Sequence, residues 1–146
     1  MNLFFDTSAL VKFFHEEEGT KKVTQLILNH ENNVWIVDVA RLEFCSACFR
    51  RFRAGQLDER KLEEAISCFE LQIASFNVEP VCHAFLTEAE HLLKSFGRTE
   101  GLRTLDAIHL GAFNLISEEI WGFVTADTIQ GNVGKLLGIN LINILE

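Results

Sequence analysis

The chain begins Met1-Asn2-Leu3-Phe4-Phe5-Asp6-Thr7-Ser8-Ala9-Leu10, and this segment indicates the architecture of the whole molecule. An apolar run of strand length stops abruptly at Asp6, and three residues that favour helix caps lead into a helical pattern. A strand without polar alternation is typical of a parallel sheet that is covered by helices on both faces. The opening therefore predicts a central buried strand that is followed at once by a helix.

Strand and helix patterns alternate along the rest of the chain, without a composition shift or a linker between them. The predicted strands are Met1–Phe5, Val34–Val37, Phe76–Val81, Ile120–Thr125 and Asn140–Leu145. The predicted helices cover residues 9–17, 20–30, 39–53, 60–75, 83–96, 105–116 and 128–137. Because alternation requires crossover connections, we expect one α/β domain over residues 1–146, with three α/β/α layers around a mostly parallel sheet of roughly five strands.

The composition excludes several classes of protein. A formal net charge of −8 argues against a protein that binds nucleic acid through overall positive charge, although a local basic stripe stays compatible with it. No apolar run approaches the ~20 residues that span a bilayer, and no signal peptide is recognised, so we expect a cytoplasmic protein with no membrane partner. In that setting disulfides are not expected, and Cys45 and Cys48 are interpreted as small buried apolar residues.

The helix over residues 39–53 carries more apolar residues than one core-facing stripe requires. We expect Asp38 to cap this helix, and Leu42, Cys45, Phe49 and Phe52 to face the core, which leaves Phe44 outside the stripe. Two interpretations stay open at this point. The helix is either buried on two sides or partly covered by a protein partner.

Four acids fall at the same edge of the predicted sheet. Asp6 and Asp127 come directly after strands, Asp106 lies in the first turn of a helix that Thr104 is expected to cap, and Glu43 lies one turn inside another helix. Ligands of open parallel sheets bind beyond the carboxyl ends of the strands, so the four can converge. Each also has an ordinary explanation, namely capping, matching of the helix dipole or simple exposure. The apolar neighbours of Glu43 and Asp106 favour a functional role for these acids over the ordinary explanations.

Four blocks give the chain a resemblance to the PIN-domain proteins, and most to the VapC-type toxins of prokaryotic toxin–antitoxin modules. The blocks are FDTSALVK at 5–12, RLEF at 41–44, LDAIHL at 105–110 and VTAD at 124–127. The resemblance spans nearly the whole chain, and it implies a pocket of acids that holds one or two divalent cations, Mg²⁺ or Mn²⁺. The implied ligands are Asp6, Glu43, Asp106 and Asp127, with Ser8 and Thr125 as supporting hydroxyls.

The chemistry of such a pocket agrees with that assignment. Two carboxylates about 4 Å apart repel by roughly 4 kcal/mol at an effective dielectric near 20, so a cluster needs either protons or a dication. Oxygen ligands without His or Cys select Mg²⁺ or Mn²⁺. We therefore expect metal-assisted hydrolysis of RNA without a covalent intermediate. His109, one helical turn after Asp106, is expected to be a buried supporting residue.

Substrate contacts are less sharply defined by the sequence. Arg41 and Arg50 lie in a basic stretch and are candidates for binding RNA phosphates, with a solvated basic face as the alternative. The segment after Asp127, Thr128–Asn132, lacks the basic residues expected there. The segment also offers no second acid beside Asp127, so the sequence favours a site for one cation over a site for two.

The resemblance further implies partners: a second copy of the chain in a homodimer, and an antitoxin segment bound between helices. Three alternatives remain. The chain is an RNA-processing nuclease of the same fold without an antitoxin, a binding module that uses the acidic pocket without cutting, or a Mg²⁺-dependent phosphatase. Ser8 argues against the phosphatase, because it stands where the second acid of a D-x-D motif would be.

Overall fold

Five parallel strands form one sheet in the computed structural model, which describes all 146 residues. The strand order is β3-β2-β1-β4-β5, so the first strand is central. The strands are β1 (Asn2–Phe5), β2 (Asn33–Val37), β3 (Asn77–Glu79), β4 (Gly122–Thr125) and β5 (Leu141–Asn143). The predicted α/β class is confirmed, and the sheet is parallel throughout.

Seven α-helices connect and cover the strands. They are α1 (Thr7–Leu10), α2 (Thr20–Leu28), α3 (Val39–Arg53), α4 (Glu59–Ile73), α5 (His83–Phe96), α6 (Thr104–Ile116) and α7 (Thr128–Leu137). The first helix starts earlier than the sequence pattern predicts, because the Asp6 carboxylate already accepts a hydrogen bond from the backbone of Ala9. It then tightens into a 3₁₀ turn over Val11–Phe13. None of the helices combines the length and the apolar character that a bilayer crossing requires.

The core lies on both faces of the sheet, and β1 contributes to each side. Leu3 and Phe5 pack with α1 to α4, whereas Phe4 packs with α5 to α7. The Phe4 ring lies 5.8 Å from the ring centroids of both Phe113 and Phe123. Because side chains alternate across a strand, a run that is apolar throughout fills both layers, as the opening segment predicts.

The predicted core face of α3 is wrong. Its buried residues are Ala40, Phe44 and Cys48, whereas Leu42 is 73% exposed and Phe49 is 45% exposed. Phe44 stacks on Phe69 of α4 with ring centroids 4.1 Å apart, and this pair fixes the rotation of the helix. Ala40 and Cys48, one turn before and one turn after Phe44, are small and buried on the same face of α3. The stripe that the sequence favoured therefore faces outward.

Two predicted caps are also wrong. Asp38 makes no side-chain cap on α3, and its carboxylate instead accepts a hydrogen bond from the backbone N–H of Val81, which fastens the end of β3. Thr104 is the first residue of α6 rather than its cap, a position held by Arg103 without a capping side chain. The side chain of Arg103 points instead to two carboxylates, as described below.

The order of the strands reverses direction at β1. This strand pairs with β2 on one side and with β4 on the other, so the connections that leave β1 and β4 diverge to opposite sides. Such a switch point leaves a crevice beyond the carboxyl ends of the two strands. Asp6 directly follows β1, and Asp127 lies two residues after β4.

Candidate active site

A cavity of about 510 Å³ opens at this switch point. Three of the four predicted acids line it: Glu43, Asp106 and Asp127. Its other polar lining residues are Thr7, Ser8, Arg103, Thr104, His109 and Gln130. The fourth predicted acid, Asp6, is fully buried and bonds to two of these lining residues. The fold thus brings acids from α3, α6 and the ends of two strands to one crevice.

Asp6 is held by four hydrogen-bond donors. Its Oδ1 accepts from Ser8 Oγ at 2.7 Å and from the backbone of Ala9 at 2.9 Å. Its Oδ2 accepts from Thr125 Oγ1 at 2.5 Å and from Gln130 Nε2 at 2.7 Å. The side chains of the predicted supporting residues Ser8 and Thr125 therefore both donate to Asp6. A buried carboxylate with this many donors is rigidly oriented.

Two carboxyl groups of the site have raised pKa values. Burial raises the pKa of Asp6 to about 6, although the charge of His109 and the hydrogen bonds from its neighbours act in the opposite direction. Burial also raises the pKa of Asp106, against the hydrogen bond and the charge of Arg103. Carboxyls that are desolvated inside a crevice and still paired with charged groups are typical of functional sites.

Arg103 joins two of the acids. Its Nε donates to Asp106 Oδ2 at 2.6 Å, and its Nη2 donates to Asp127 Oδ2 at 2.7 Å. These two hydrogen bonds raise the pKa of the guanidinium above its ordinary value. Two carboxylates from different elements thus converge on one positive charge.

Gln130 links the third acid to this pair. Its Nε2 lies 2.7 Å from Asp6 Oδ2 and 3.2 Å from Asp106 Oδ1, so a single amide group donates to both. The side chain is only 3% exposed, and its Oε1 is buried without a hydrogen-bond partner. The three aspartates and the two donors therefore form one continuous network.

Glu43 belongs to a second, adjacent group. Its Oε1 accepts from Thr7 Oγ1 at 2.8 Å and lies 2.5 Å from His109 Nε2. Burial by itself would raise the pKa of Glu43, but the hydrogen bond and charge of His109, with smaller effects of Thr7 and Arg103, lower it overall. His109 is 1% exposed, which agrees with the expected buried supporting histidine.

Two of the acids have the ordinary role of helix caps. Asp6 Oδ1 caps α1 through Ala9, and Asp127 Oδ1 caps α7 by accepting from the backbone of Gln130 at 2.9 Å. Each aspartate uses one oxygen as a cap and directs the other into the network. Capping therefore fixes these two side chains where the network needs them.

Sequence reasoning missed Arg103 and Gln130. A signal existed for Arg103, which lies three residues before Asp106, a spacing that brings side chains together. The Gln130 side chain reaches Asp6 and Asp106, and no spacing along the chain indicates these contacts. The two arginines that the sequence proposed for RNA, Arg41 and Arg50, are exposed on α3 and do not line the cavity.

The site fits a hard cation only in part. No group of three or more His, Cys, Asp or Glu side chains is arranged to hold a metal ion. Arg103 and Gln130 instead lie between the three aspartates and donate hydrogen bonds to them. Glu43 is hydrogen-bonded to His109 and Thr7 and belongs to a separate group. Asp106 and Asp127 nevertheless aim one oxygen each at the same positive charge. This pair supplies two hard oxygen donors, the type of ligand that Mg²⁺ and Mn²⁺ prefer.

The fold and the site define an α/β protein with an acid-lined pocket at the switch point of a parallel sheet. The family model of the PIN domain matches residues 3–136, and the chain belongs to the PIN-domain family. No curated protein matches the sequence.

Several solved structures share the fold. VapBC2 from Rickettsia felis, bound to a DNA fragment from its promoter, has a TM-score of 0.66 and 14% identity over 98% of both chains. FitAcB from Neisseria gonorrhoeae has a TM-score of 0.69 and 15% identity over 97% of both chains. VapC20 from Mycobacterium tuberculosis, a toxin that cleaves the sarcin–ricin loop, has a TM-score of 0.70 and 16% identity over 90% of this chain and 95% of its own. At these identities the likeness establishes the fold.

Proposed function

We propose that the protein is a ribonuclease toxin of the VapC type, which hydrolyses RNA phosphodiester bonds with Mg²⁺ or Mn²⁺ in the cytoplasm. Membership of the PIN family and the VapC fold neighbours support a nuclease of toxin–antitoxin modules. The observation that carries the proposal is the convergence of Asp106 and Asp127 on one positive charge, beside the buried Asp6.

Asp106 and Asp127 would hold the divalent cation, with Asp6 and Glu43 completing the proposed set of ligands. When bound, such a cation supplies positive charge that neutralises the charge developing on a phosphodiester. Asp6 is oriented for this task by Ser8 and Thr125, which both donate to it.

Glu43 is the residue best placed to orient the attacking water. Its lowered pKa means that the carboxylate is ionised at neutral pH, so that it can accept a hydrogen bond from a water molecule. Both side-chain contacts of Glu43 use Oε1, which leaves Oε2 for a water molecule or the cation. His109 and Thr7 act on this carboxylate as positioning residues.

RNA must approach a protein with a net charge of −8. Arg103 is the arginine that lines the cavity, and we propose that Arg41 and Arg50, exposed on α3, contact phosphates further along the RNA. Local positive charge on α3 would offset the repulsion between the acidic body of the protein and the RNA backbone.

An antitoxin and a second copy of the chain are the proposed protein partners. The fold neighbours include toxin–antitoxin complexes, and apolar side chains are exposed on adjacent helices of this chain. Leu42, Phe49 and Phe52 on α3 and Leu71 on α4 are 73%, 45%, 38% and 78% exposed. The three residues of α3 recur at helical spacing on one side of that helix, and we propose that partners cover it, since exposed apolar patches mark interaction sites.

The test is an RNA cleavage assay with the purified protein, single-stranded and hairpin RNAs, and Mg²⁺, Mn²⁺ or EDTA. Asp106→Asn removes one charge from the cavity, and Glu64→Gln removes one from an exposed ion pair with Arg60 as a matched control. We expect cleavage to need a divalent cation and to fall roughly 100-fold or more in the Asp106 variant only. Cleavage that persists in EDTA, or an equal rate for the two variants, contradicts the proposal.

A further inference from the structure

We propose that Arg103 occupies the cation position of the acid pocket and competes with a divalent cation for Asp106 and Asp127. The inference rests on the proposed function, because it concerns the same pocket. It assigns to Arg103 the role of a positioning residue that holds two carboxylates together and must leave them when the cation enters.

The single guanidinium of Arg103 donates hydrogen bonds to two carboxylates. Nε and Nη2 are different nitrogens of the same planar fork, and they reach Asp106 and Asp127 at 2.6 and 2.7 Å. A guanidinium can do this because its donors point in fixed, separate directions. Without a positive charge between them, the two carboxylates would repel and move apart.

Arg103 is also the part of the network that can be displaced. Its side chain is 58% exposed, and it emerges from the turn before α6 rather than from inside a helix. Its hydrogen bonds to Asp106 and Asp127 are the only ones that its side chain makes. When these break, the guanidinium moves into water, where its charge is solvated at little cost.

Gln130 offers the contrast within the same site. Its side chain is 3% exposed and donates to both Asp6 and Asp106, so its displacement would deprive two largely buried carboxyl groups of a donor. A cation that enters from the cavity therefore meets Arg103 as the exchangeable donor and Gln130 as a fixed one. The affinity for the cation is then set partly by the strength of the Arg103 contacts.

The test is calorimetric titration of the full chain with Mn²⁺ in the absence of RNA. Arg103→Gln removes the competing charge, and Arg98→Gln removes the same charge from an exposed residue outside the cavity as a matched control. We expect the Arg103 variant to bind Mn²⁺ roughly tenfold more tightly than the control, because charged hydrogen bonds no longer have to be broken. Without metal, thermal unfolding of the Arg103 variant should occur at a lower temperature than that of the control.

The outcomes separate this inference from the function on which it rests. If the wild type binds Mn²⁺ and the Arg103 variant binds it equally or more weakly, the competition does not exist, and the proposed nuclease is unaffected. If neither protein binds Mn²⁺, the metal-dependent function fails, and the inference fails with it. Should Arg103→Gln not fold, Arg103→Lys replaces it. A single ammonium cannot match both hydrogen bonds, so Mn²⁺ affinity should still rise, and unchanged affinity overturns the proposal.

Discussion

His109 Nε2 lies 2.5 Å from Glu43 Oε1, and the two side chains reach each other from helices that cover opposite faces of the sheet. An ionised carboxylate only accepts hydrogen bonds, so Nε2 must carry the hydrogen. Thr7 donates to the same oxygen at 2.8 Å. Together these donors overcome the effect of burial and lower the pKa of Glu43, which keeps it ionised.

Replacement of His109 should therefore raise the pKa of Glu43. In His109→Ala, burial remains and the opposing hydrogen bond and charge are lost, so the titration of the Glu43 carboxyl moves to higher pH. We also expect the rate at neutral pH to fall by roughly 10- to 100-fold, as when a supporting partner of a functional carboxylate is removed. NMR titration of the Glu43 side-chain carboxyl from pH 2.5 to pH 7 measures the pKa, and the RNA cleavage rate at pH 7 measures the loss of activity.

His91→Ala is the matched control, because His91 is exposed on α5, away from the cavity. A pKa of Glu43 that stays the same in the His109 variant would show that this histidine does not control the ionisation of Glu43.

The raised pKa of Asp6 predicts that stability depends on pH. Its pKa is about 6 in the folded protein and 3.8 in the reference state, so the folded chain holds the proton more tightly. The stabilisation linked to this proton is complete below pH 3.8 and is lost as the pH rises through 6. The full difference in pKa corresponds to about 3 kcal/mol, of which about 2.5 kcal/mol falls between pH 4 and pH 8.

Asp6→Asn removes this titration and leaves the other acids in place. We expect the free energy of unfolding of the wild type, relative to the variant, to be about 2.5 kcal/mol higher at pH 4 than at pH 8. Urea denaturation in EDTA at several pH values measures the difference. If the difference between the two proteins is the same at all pH values, Asp6 does not titrate in this range.

Much of the fold follows from the sequence, because an apolar run that ends in Asp6 and a regular alternation of elements leave few arrangements open. The positions of Asp6 and Asp127 follow as well, since residues after adjacent parallel strands must meet at one edge. The helices α3, α5 and α7 have the predicted bounds.

Other features depend on side-chain directions that the sequence pattern does not determine. Apolar residues occur on nearly every face of α3, so its rotation depends on the contact between Phe44 and Phe69 rather than on periodicity. Arg103 and Gln130 enter the site because α6 and α7 begin at the same crevice, and only the packed structure places them beside acids of other elements.

The observed rotation of α3 predicts that two of its apolar residues, Phe44 and Leu42, contribute very differently to the free energy of unfolding. Phe44 is fully buried and stacks on Phe69, so Phe44→Ala should lower the free energy of unfolding by about 3–5 kcal/mol. Leu42 is 73% exposed, so Leu42→Ala should change it by no more than about 0.5 kcal/mol. Urea denaturation of both variants measures these values. A large loss for Leu42→Ala would show that this face is buried within the folded chain.

Gln130 gives the sharpest test of the network, because glutamate has nearly the same shape but no donor. In Gln130→Glu a carboxylate would face Asp6 Oδ2 and Asp106 Oδ1, where Nε2 now donates to both at 2.7 and 3.2 Å. At pH 8 in EDTA we expect this variant to lose about 2 kcal/mol or more of stability, and to lose more than Gln130→Met, which removes the donor without adding a charge.

The relative stability of Gln130→Glu and Gln130→Met should then change with pH and with Mn²⁺. At pH 5 the added carboxyl takes up a proton that it can donate to an aspartate, so Gln130→Glu recovers stability and Gln130→Met changes less. Mn²⁺ should also stabilise the Glu variant more, because three carboxylates then surround the cation. Thermal unfolding of both variants at pH 5 and pH 8, with and without Mn²⁺, measures this. A Glu variant as stable as the wild type at pH 8 in EDTA would mean that the Gln130 amide does not hold the aspartates together.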